Sequence, residues 1–165
     1  MSLPDLAAVL WRQRDLLERL VYRLECEHLL LAAGRTRFLA LATAEVEGLL
    51  AELRVLEMQR AAAADRVAAE AGLAAEPGLE QLAAAVQPPW TGVLLEHREA
   101  LLALTSELAA LAETNRTLMA AGMRAVESAI AGMNERVGTP SVGYDAKGRS
   151  DLISGAGALV VDRSL

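Results

Sequence analysis

The chain has 165 residues, 53% of them hydrophobic but 3% aromatic, and a formal net charge of −6 at pH 7. Its apolar residues are therefore mostly alanine and leucine, both strong helix formers, which predicts an all-α domain. A negative charge without a lysine or arginine cluster disfavours phosphate contacts, so we expect no nucleic-acid partner. Charged residues interrupt every apolar stretch before the roughly 20 residues that a spanning helix needs, so we expect no membrane insertion.

Targeting and redox signals are also missing from the sequence. Met1 to Asp15 lack a basic start followed by an apolar core, so we expect no signal peptide. Cys26 is the single cysteine, which rules out an internal disulfide bond. These features predict a cytoplasmic protein.

A first helix is predicted from Pro4 to near Gly34. Proline is tolerated in a first helical turn, and Gly34 is a plausible left-handed cap at the other end. One face of this helix repeats leucine at steps of three and four, which predicts a packing stripe with Gln13 and Glu27 as its polar members. The leucines of this stripe are Leu3, Leu6, Leu10, Leu17, Leu20, Leu24 and Leu31.

A second helix is predicted to follow after a short turn, with Thr36 as its N-cap. A short connection makes neighbouring helices antiparallel. The repeat of large apolar residues in this helix ends at an alanine-rich stretch, residues 61–75, where the helix propensity stays high. The apolar positions before that stretch are Leu39, Ala42, Val46, Leu49, Leu53 and Leu56.

The longest helix is predicted from Trp90 to Val137. Pro77-Gly78 breaks the preceding pattern, residues 79–86 can form two helical turns, and Pro88-Pro89 starts the long helix. Residues 88–137 in helical form would be roughly 75 Å long. Its stripe alternates steps of four and three, as in coiled coils. The stripe comprises Trp90, Leu94, His97, Leu101, Leu104, Leu108, Leu111, Asn115, Leu118, Gly122 and Ala125.

These elements predict an elongated antiparallel hairpin or bundle of three main helices with coiled-coil-like packing. Residues 1–137 would form the helical domain. Residues 138–165 are rich in glycine and serine and cannot sustain a long helix, which predicts a flexible C-terminal tail.

The end of the long helix is the candidate binding surface. Beyond Leu118 the stripe changes phase, and an apolar face follows in which three members are methionines, which adapt to varied partners. This face either packs within the protein or binds a partner helix, and it comprises Leu118, Met119, Met123, Val126, Ile130 and Met133. Asn115 either fixes the register of the helices, as polar stripe residues do, or contacts the partner.

Each candidate catalytic, metal-binding or phosphate-binding motif in the sequence lacks a required part. Glu25 and His28 have the Glu-x-x-His spacing of di-iron bundles, but the required second copy is absent because Leu94 precedes His97. Cys26 with His28 provides too few ligands for structural zinc. The flanking residues Glu25 and Glu27 disfavour the thiolate that a nucleophilic Cys26 would need. Gly155-Ala156-Gly157 lacks the strand that precedes a phosphate loop. We therefore expect no catalytic residue, metal or cofactor.

The order of these features resembles the FlgN family of flagellar export chaperones. The resemblance rests on a leucine-rich first helix with Glu25 to Leu31 before a short turn, on Leu49-Leu50 and Leu53 in the second helix, and on Asn115 to Leu118 in the third. The tail sequence Tyr144-Asp145-Ala146-Lys147-Gly148 is similar to a Tyr-x-x-x-Gly element of that family. The chain departs from the family at Val46-Glu47-Gly48, where a basic residue is expected.

The resemblance implies a non-enzymatic chaperone that holds a disordered segment of a flagellar hook-associated, or hook-filament junction, protein before its export. Asn115 and the apolar face after it would be the client-binding residues. Tyr144 would be a candidate contact to the export gate of the flagellar secretion system.

Two other classes of protein stay open. In a self-associating structural coiled coil, the methionine-rich end of the long helix would be a homodimer interface and the tail a dispensable linker. A ligand-binding or metal-binding four-helix protein is disfavoured by the scarcity of polar residues at core positions.

Overall fold

The protein folds as a set of α-helices in a computed structural model that describes the backbone of residues 2–137 and the side chains of residues 2–133. The helices are α1 (Ser2–Ala32), α2 (Leu39–Ala71), α3 (Leu79–Ala85) and α4 (Trp90–Val137), with a short 3-10 helix at Thr36–Phe38. Residues 2–137 contain no strand. The all-α fold with three main helices is therefore confirmed.

The chain divides into two units, Met1–Ala120 and Ala121–Leu165. The second unit is described as far as Val137, and its described part is helical. The predicted flexible tail, residues 138–165, lies outside the described residues.

Glycines end the first two helices as left-handed caps. Gly34 has φ 64°, and the N–H of Arg35 donates to the carbonyl oxygen of Leu30 at 2.8 Å, which satisfies a helix-end acceptor. Gly72 has φ 70° and ends α2 in the same way, with Leu73 donating to Ala68 at 2.8 Å. The predicted N-cap at Thr36 is wrong, because Thr36 begins the 3-10 helix and α2 starts at Leu39 without a side-chain cap.

The core of the first unit lies between α1, α2 and α4. Near the start of α1, leucines pack against the alanine-rich end of α2 and against α3 and α4, so small residues in α2 allow the helices to approach closely. Further along α1, Leu20 and Leu24 pack with Val46 of α2 and with Leu108 of α4. Because the start of α1 meets the end of α2, these two helices are antiparallel.

The predicted packing stripes agree with this core in the first unit. Leu6, Leu10, Leu17, Leu20 and Leu24 of α1 are buried, and so are the polar members Gln13 and Glu27. In α4 the predicted stripe is buried at Leu94, His97 and Asn115, whereas it is exposed at Gly122 and Ala125 in the second unit. The stripe of α4 is thus covered up to the end of the first unit.

Candidate functional site

The predicted binding face contains four apolar side chains of α4 that belong to the second unit. Met123, Val126, Ile130 and Met133 are each more than half exposed. Steps of three, four and three residues place them within an arc of roughly 80° on the helix surface. We call these four residues the α4 apolar stripe. An exposed apolar stripe of this kind offers burial free energy to a partner.

The other predicted members of this face lie in the first unit. Leu118 and Met119 are half-buried. Asn115 is 1% exposed, and its side chain is bonded inside the protein. The interpretation of Asn115 as a residue that fixes helix packing agrees with this placement, whereas its contact with a client stays a prediction.

Asn115 is the centre of a buried polar cluster that joins three helices. Its Nδ2 donates to the Leu24 carbonyl oxygen at 2.9 Å and to Oε2 of Glu27 at 3.1 Å, both in α1. The other carboxylate oxygen of Glu27 accepts a 2.7 Å hydrogen bond from Thr43 Oγ1 in α2. Because Glu27 is 3% exposed, these donors compensate for the loss of water around its carboxylate.

His28 completes this polar cluster, which we define as Glu27, His28, Thr43 and Asn115. Its Nδ1 lies 3.1 Å from Asn115 Oδ1. Since Asn115 Nδ2 is oriented toward two acceptors, Oδ1 must accept, and Nδ1 of His28 therefore carries the proton. The hydrogen-bond pattern fixes both the amide orientation and the tautomer, which holds α1, α2 and α4 in one register.

The candidate metal ligands are not brought together. Glu25 is exposed on α1, His28 is engaged with Asn115, and Cys26 is half-buried without a disulfide partner. The part of the chain that the structure describes contains no group of three or more His, Cys, Asp or Glu residues able to hold a metal ion.

His97, in α4, is a second buried imidazole of the first unit. It is 1% exposed, and its ring meets Trp11 of α1 edge-on with centroids 4.9 Å apart. Arg14 lies over the same Trp11 ring at 4.6 Å and pairs with Glu96 at 3.5 Å. Burial lowers the pKa of His97, and the nearby Arg14 lowers it further, while Glu96 opposes the shift. These features indicate a packed structural histidine.

Some predicted features fall beyond the described helices. Tyr144, the candidate docking residue, and Gly155-Ala156-Gly157 lie outside the described residues. Over the helices that are described, none is both long and apolar enough to span a membrane.

Two features of the first unit were not predicted from the sequence. Glu27 and Asn115 were predicted as polar stripe residues, but their hydrogen bond was not, since it depends on how α1 and α4 align. The other feature is a second apolar stripe on the outer face of α2, which runs from Leu41 to Ala62. The signal was present as a repeat of three and four residues, but small side chains at four of its positions weaken it.

A helical fold with an apolar stripe exposed on one helix is typical of proteins that bind an amphipathic partner. A family model described as FlgN protein matches residues 1–151, so the chain belongs to the FlgN family. Searches of curated proteins and of solved structures each gave no match. Membership supports a general role as a flagellar export chaperone and implies binding of flagellar hook-associated proteins.

Proposed function

We propose that this protein is a cytoplasmic chaperone that binds an otherwise disordered segment of a flagellar hook-associated protein on the α4 apolar stripe. Binding would prevent aggregation or premature assembly of the client, and the chaperone would deliver it to the flagellar type III export apparatus. The exposure of four large apolar side chains on one face of α4, in a chain of this family, carries the proposal.

Client binding would depend on the docking of two amphipathic helices, α4 and the client segment. A client segment that folds on binding would cover the stripe with its own apolar face and remove both surfaces from water. Full burial of a Val, Ile or Met side chain contributes about 1.5 to 3 kcal/mol, so the four residues can offset part of the ordering cost of the client. Two of them are methionines, whose flexible side chains accommodate more than one client sequence.

Residues outside the α4 apolar stripe would also contribute to client binding or export. Leu118 and Met119 retain partly exposed apolar surface in the first unit and would add contacts there. Asn115 would act by holding α4 in the bundle, since its amide is used by Leu24, Glu27 and His28. Tyr144, which lies outside the described residues, would be the contact to the export gate.

A pair of aspartate substitutions tests the stripe. Val126→Asp with Ile130→Asp should weaken binding of the terminal segments of the organism's own hook-associated proteins by about a hundredfold or more, because two buried aliphatic contacts are replaced by charges. Isothermal titration calorimetry should give a one-to-one complex with a strongly negative heat capacity change for the unsubstituted protein.

The matched control carries the same two charges at the same spacing on the opposite side of α4. Ala121 and Ala125 are exposed, and Ala121→Asp with Ala125→Asp should retain client binding. Circular dichroism should show similar helicity in the two double variants. Client affinity that survives Val126→Asp with Ile130→Asp would overturn the proposal, and so would loss of folding in that variant alone, because the two residues would then belong to a core.

A further inference from the structure

Helix α2 has apolar residues on two opposite faces. Its inner face packs against α1 through Val46, Leu49, Leu53 and Leu56. Its outer face carries a second repeat with alternating steps of three and four, and all of its members are exposed. We call this repeat the α2 outer stripe, and it comprises Leu41, Ala44, Gly48, Ala51, Val55, Met58 and Ala62.

The α2 outer stripe has the spacing of a coiled-coil interface rather than of a solvated face. Leu41, Val55 and Met58 are 63%, 51% and 65% exposed. Covering a second apolar face would remove these side chains from water, and in the first unit the inner face of α2 alone is covered. At 1.5 Å per residue the stripe is about 30 Å long, which is enough for several turns of helix packing.

We propose that the α2 outer stripe is a homodimer interface, in which α2 packs antiparallel against α2 of a second copy of this chain. A two-fold axis between Leu49 and Leu50 pairs Leu41 with Met58 of the second copy, Ala44 with Val55 and Gly48 with Ala51. Each pair occurs twice because the interface is self-complementary. Small residues at the centre let the two helices approach closely, and the larger pairs cover the ends.

Charges beside the stripe favour this arrangement. The same two-fold axis brings Glu47 close to Arg54 of the second copy, and the reverse pair forms by symmetry. Within the described residues, Glu47 and Arg54 are exposed and have no ion-pair partner. On the other flank, the same axis brings Glu45 close to Glu52 of the second copy. Within its own chain Glu45 is paired with Arg23 at 3.0 Å and Glu52 with Arg19 at 3.7 Å, which reduces the repulsion between the two carboxylates.

A parallel arrangement is disfavoured by the same residues. In a parallel pair of helices Glu47 would lie beside Glu52 of the second copy, and two like charges would meet on each side. The antiparallel pairing is therefore favoured, because it alone forms pairs of opposite charge, between Glu47 and Arg54.

The surface beside the stripe has room for a second helix. Gly48, Val55 and Ala62 each line one of three adjoining shallow grooves between α1 and α2, with volumes of about 440, 460 and 350 Å³. A Cβ added at Gly48 would meet nothing within 4 Å, so no side chain of the described residues occupies this position.

The first test is the oligomeric state of the full chain by sedimentation equilibrium and light scattering. The unsubstituted protein should have the mass of two chains at micromolar concentration. Val55→Asp should shift it to one chain with unchanged helicity. Leu102 in α4 is a matched control because it is 55% exposed and lies outside the stripe, and Leu102→Asp should remain dimeric.

The second test is a charge exchange that leaves the apolar residues intact. Glu47→Lys and Arg54→Glu should each raise the dimer dissociation constant about tenfold, because two ion pairs become repulsive contacts. The variant with both substitutions should recover the original constant. Mixing the two single variants should also produce a heterodimer. In that heterodimer the introduced lysine of one chain would face the introduced glutamate of the other, and the unsubstituted Arg54 and Glu47 would face each other.

Two results would overturn this proposal. One is a protein with the mass of a single chain at high concentration, whose mass does not respond to Val55→Asp. The other is a Val55→Asp variant with unchanged oligomeric state that no longer binds the hook-associated segment, which would make the stripe a client surface. Because this test reads mass and the test of the proposed function reads client affinity, either proposal can fail alone.

Discussion

The first unit buries polar groups at its centre, whereas the described part of the second unit exposes apolar ones. Glu27 and Asn115 are at most 3% exposed in the first unit, while Met123 and Met133 are both 66% exposed in the second. Both units depart from the usual distribution, in which polar residues are exposed and large apolar residues are buried. In the first unit the hydrogen bonds of Asn115 fix how the helices align, and in the second the burial free energy remains available to a client.

The largest expected difference between these regions is in the response to truncation of a large side chain of α4. Leu94 is fully buried among leucines and alanines of α1, α2 and α3, so Leu94→Ala should lower the free energy of unfolding by about 3 kcal/mol. Met123→Ala, in the exposed stripe of the same helix, should change it by less than about 0.5 kcal/mol. Urea denaturation followed by circular dichroism measures both, and equal losses would contradict the comparison.

Substitution within the polar cluster should give the next largest loss in the free energy of unfolding. Asn115→Leu keeps the branching and the number of non-hydrogen side-chain atoms but leaves the Glu27 carboxylate, the Leu24 carbonyl group and the His28 N–H without this partner, so we expect a loss of about 2 to 3 kcal/mol. The neighbouring Thr114 bonds to its own helix at the surface, and Thr114→Ala should cost less than about 0.5 kcal/mol. If Asn115→Leu were as stable as the parent, the cluster would not fix the helix packing.

A smaller effect should appear in the pH dependence of stability. The pKa of unfolded His97 is near 6.5, and burial together with Arg14 lowers it in the folded protein. As the pH falls below 6.5 the unfolded chain binds the proton first, so the free energy of unfolding decreases until the folded imidazole is also protonated. Above 6.5 both states are neutral, and the stability is fully present.

The pH effect is measured by comparing urea denaturation of the parent protein and of His97→Gln between pH 5 and 7.5, a range chosen around the ordinary histidine pKa of about 6.5. The parent should lose more stability than the variant at the acidic end. Parallel profiles for the two proteins would show that His97 does not titrate differently in the folded and unfolded states.

Periodicity and glycine signals predicted most of the fold. The long helix was predicted from Trp90 to Val137, as observed, because its pattern is unbroken and Pro88-Pro89 marks its start. Gly34 has the left-handed conformation expected of a helix end. The start of α2 was less predictable, since Thr36 can cap a helix or begin a 3-10 turn, and the choice depends on how the chain leaves α1.

Contacts between helices were the part that the sequence could not provide. The stripe positions of Glu27 and Asn115 were visible in the sequence, but the hydrogen bonds that join them to Thr43 and His28 depend on the relative alignment of α1, α2 and α4. The α2 outer stripe was hidden because Ala44, Gly48, Ala51 and Ala62 contribute little hydrophobicity. Exposure in the structure was needed to separate it from the packed face.

Hydrogen–deuterium exchange of the full chain, with and without a terminal segment of the organism's own hook-associated protein, tests the central claim most directly. Backbone amides of residues 121–133 should exchange rapidly in the free protein, because no core side chain is buried there, and should slow at least about tenfold in the complex. Amides of α2 should be unchanged by the client. Protection that appears on α2 instead of α4, or no protection despite binding, would contradict the assignment of the client to the α4 apolar stripe.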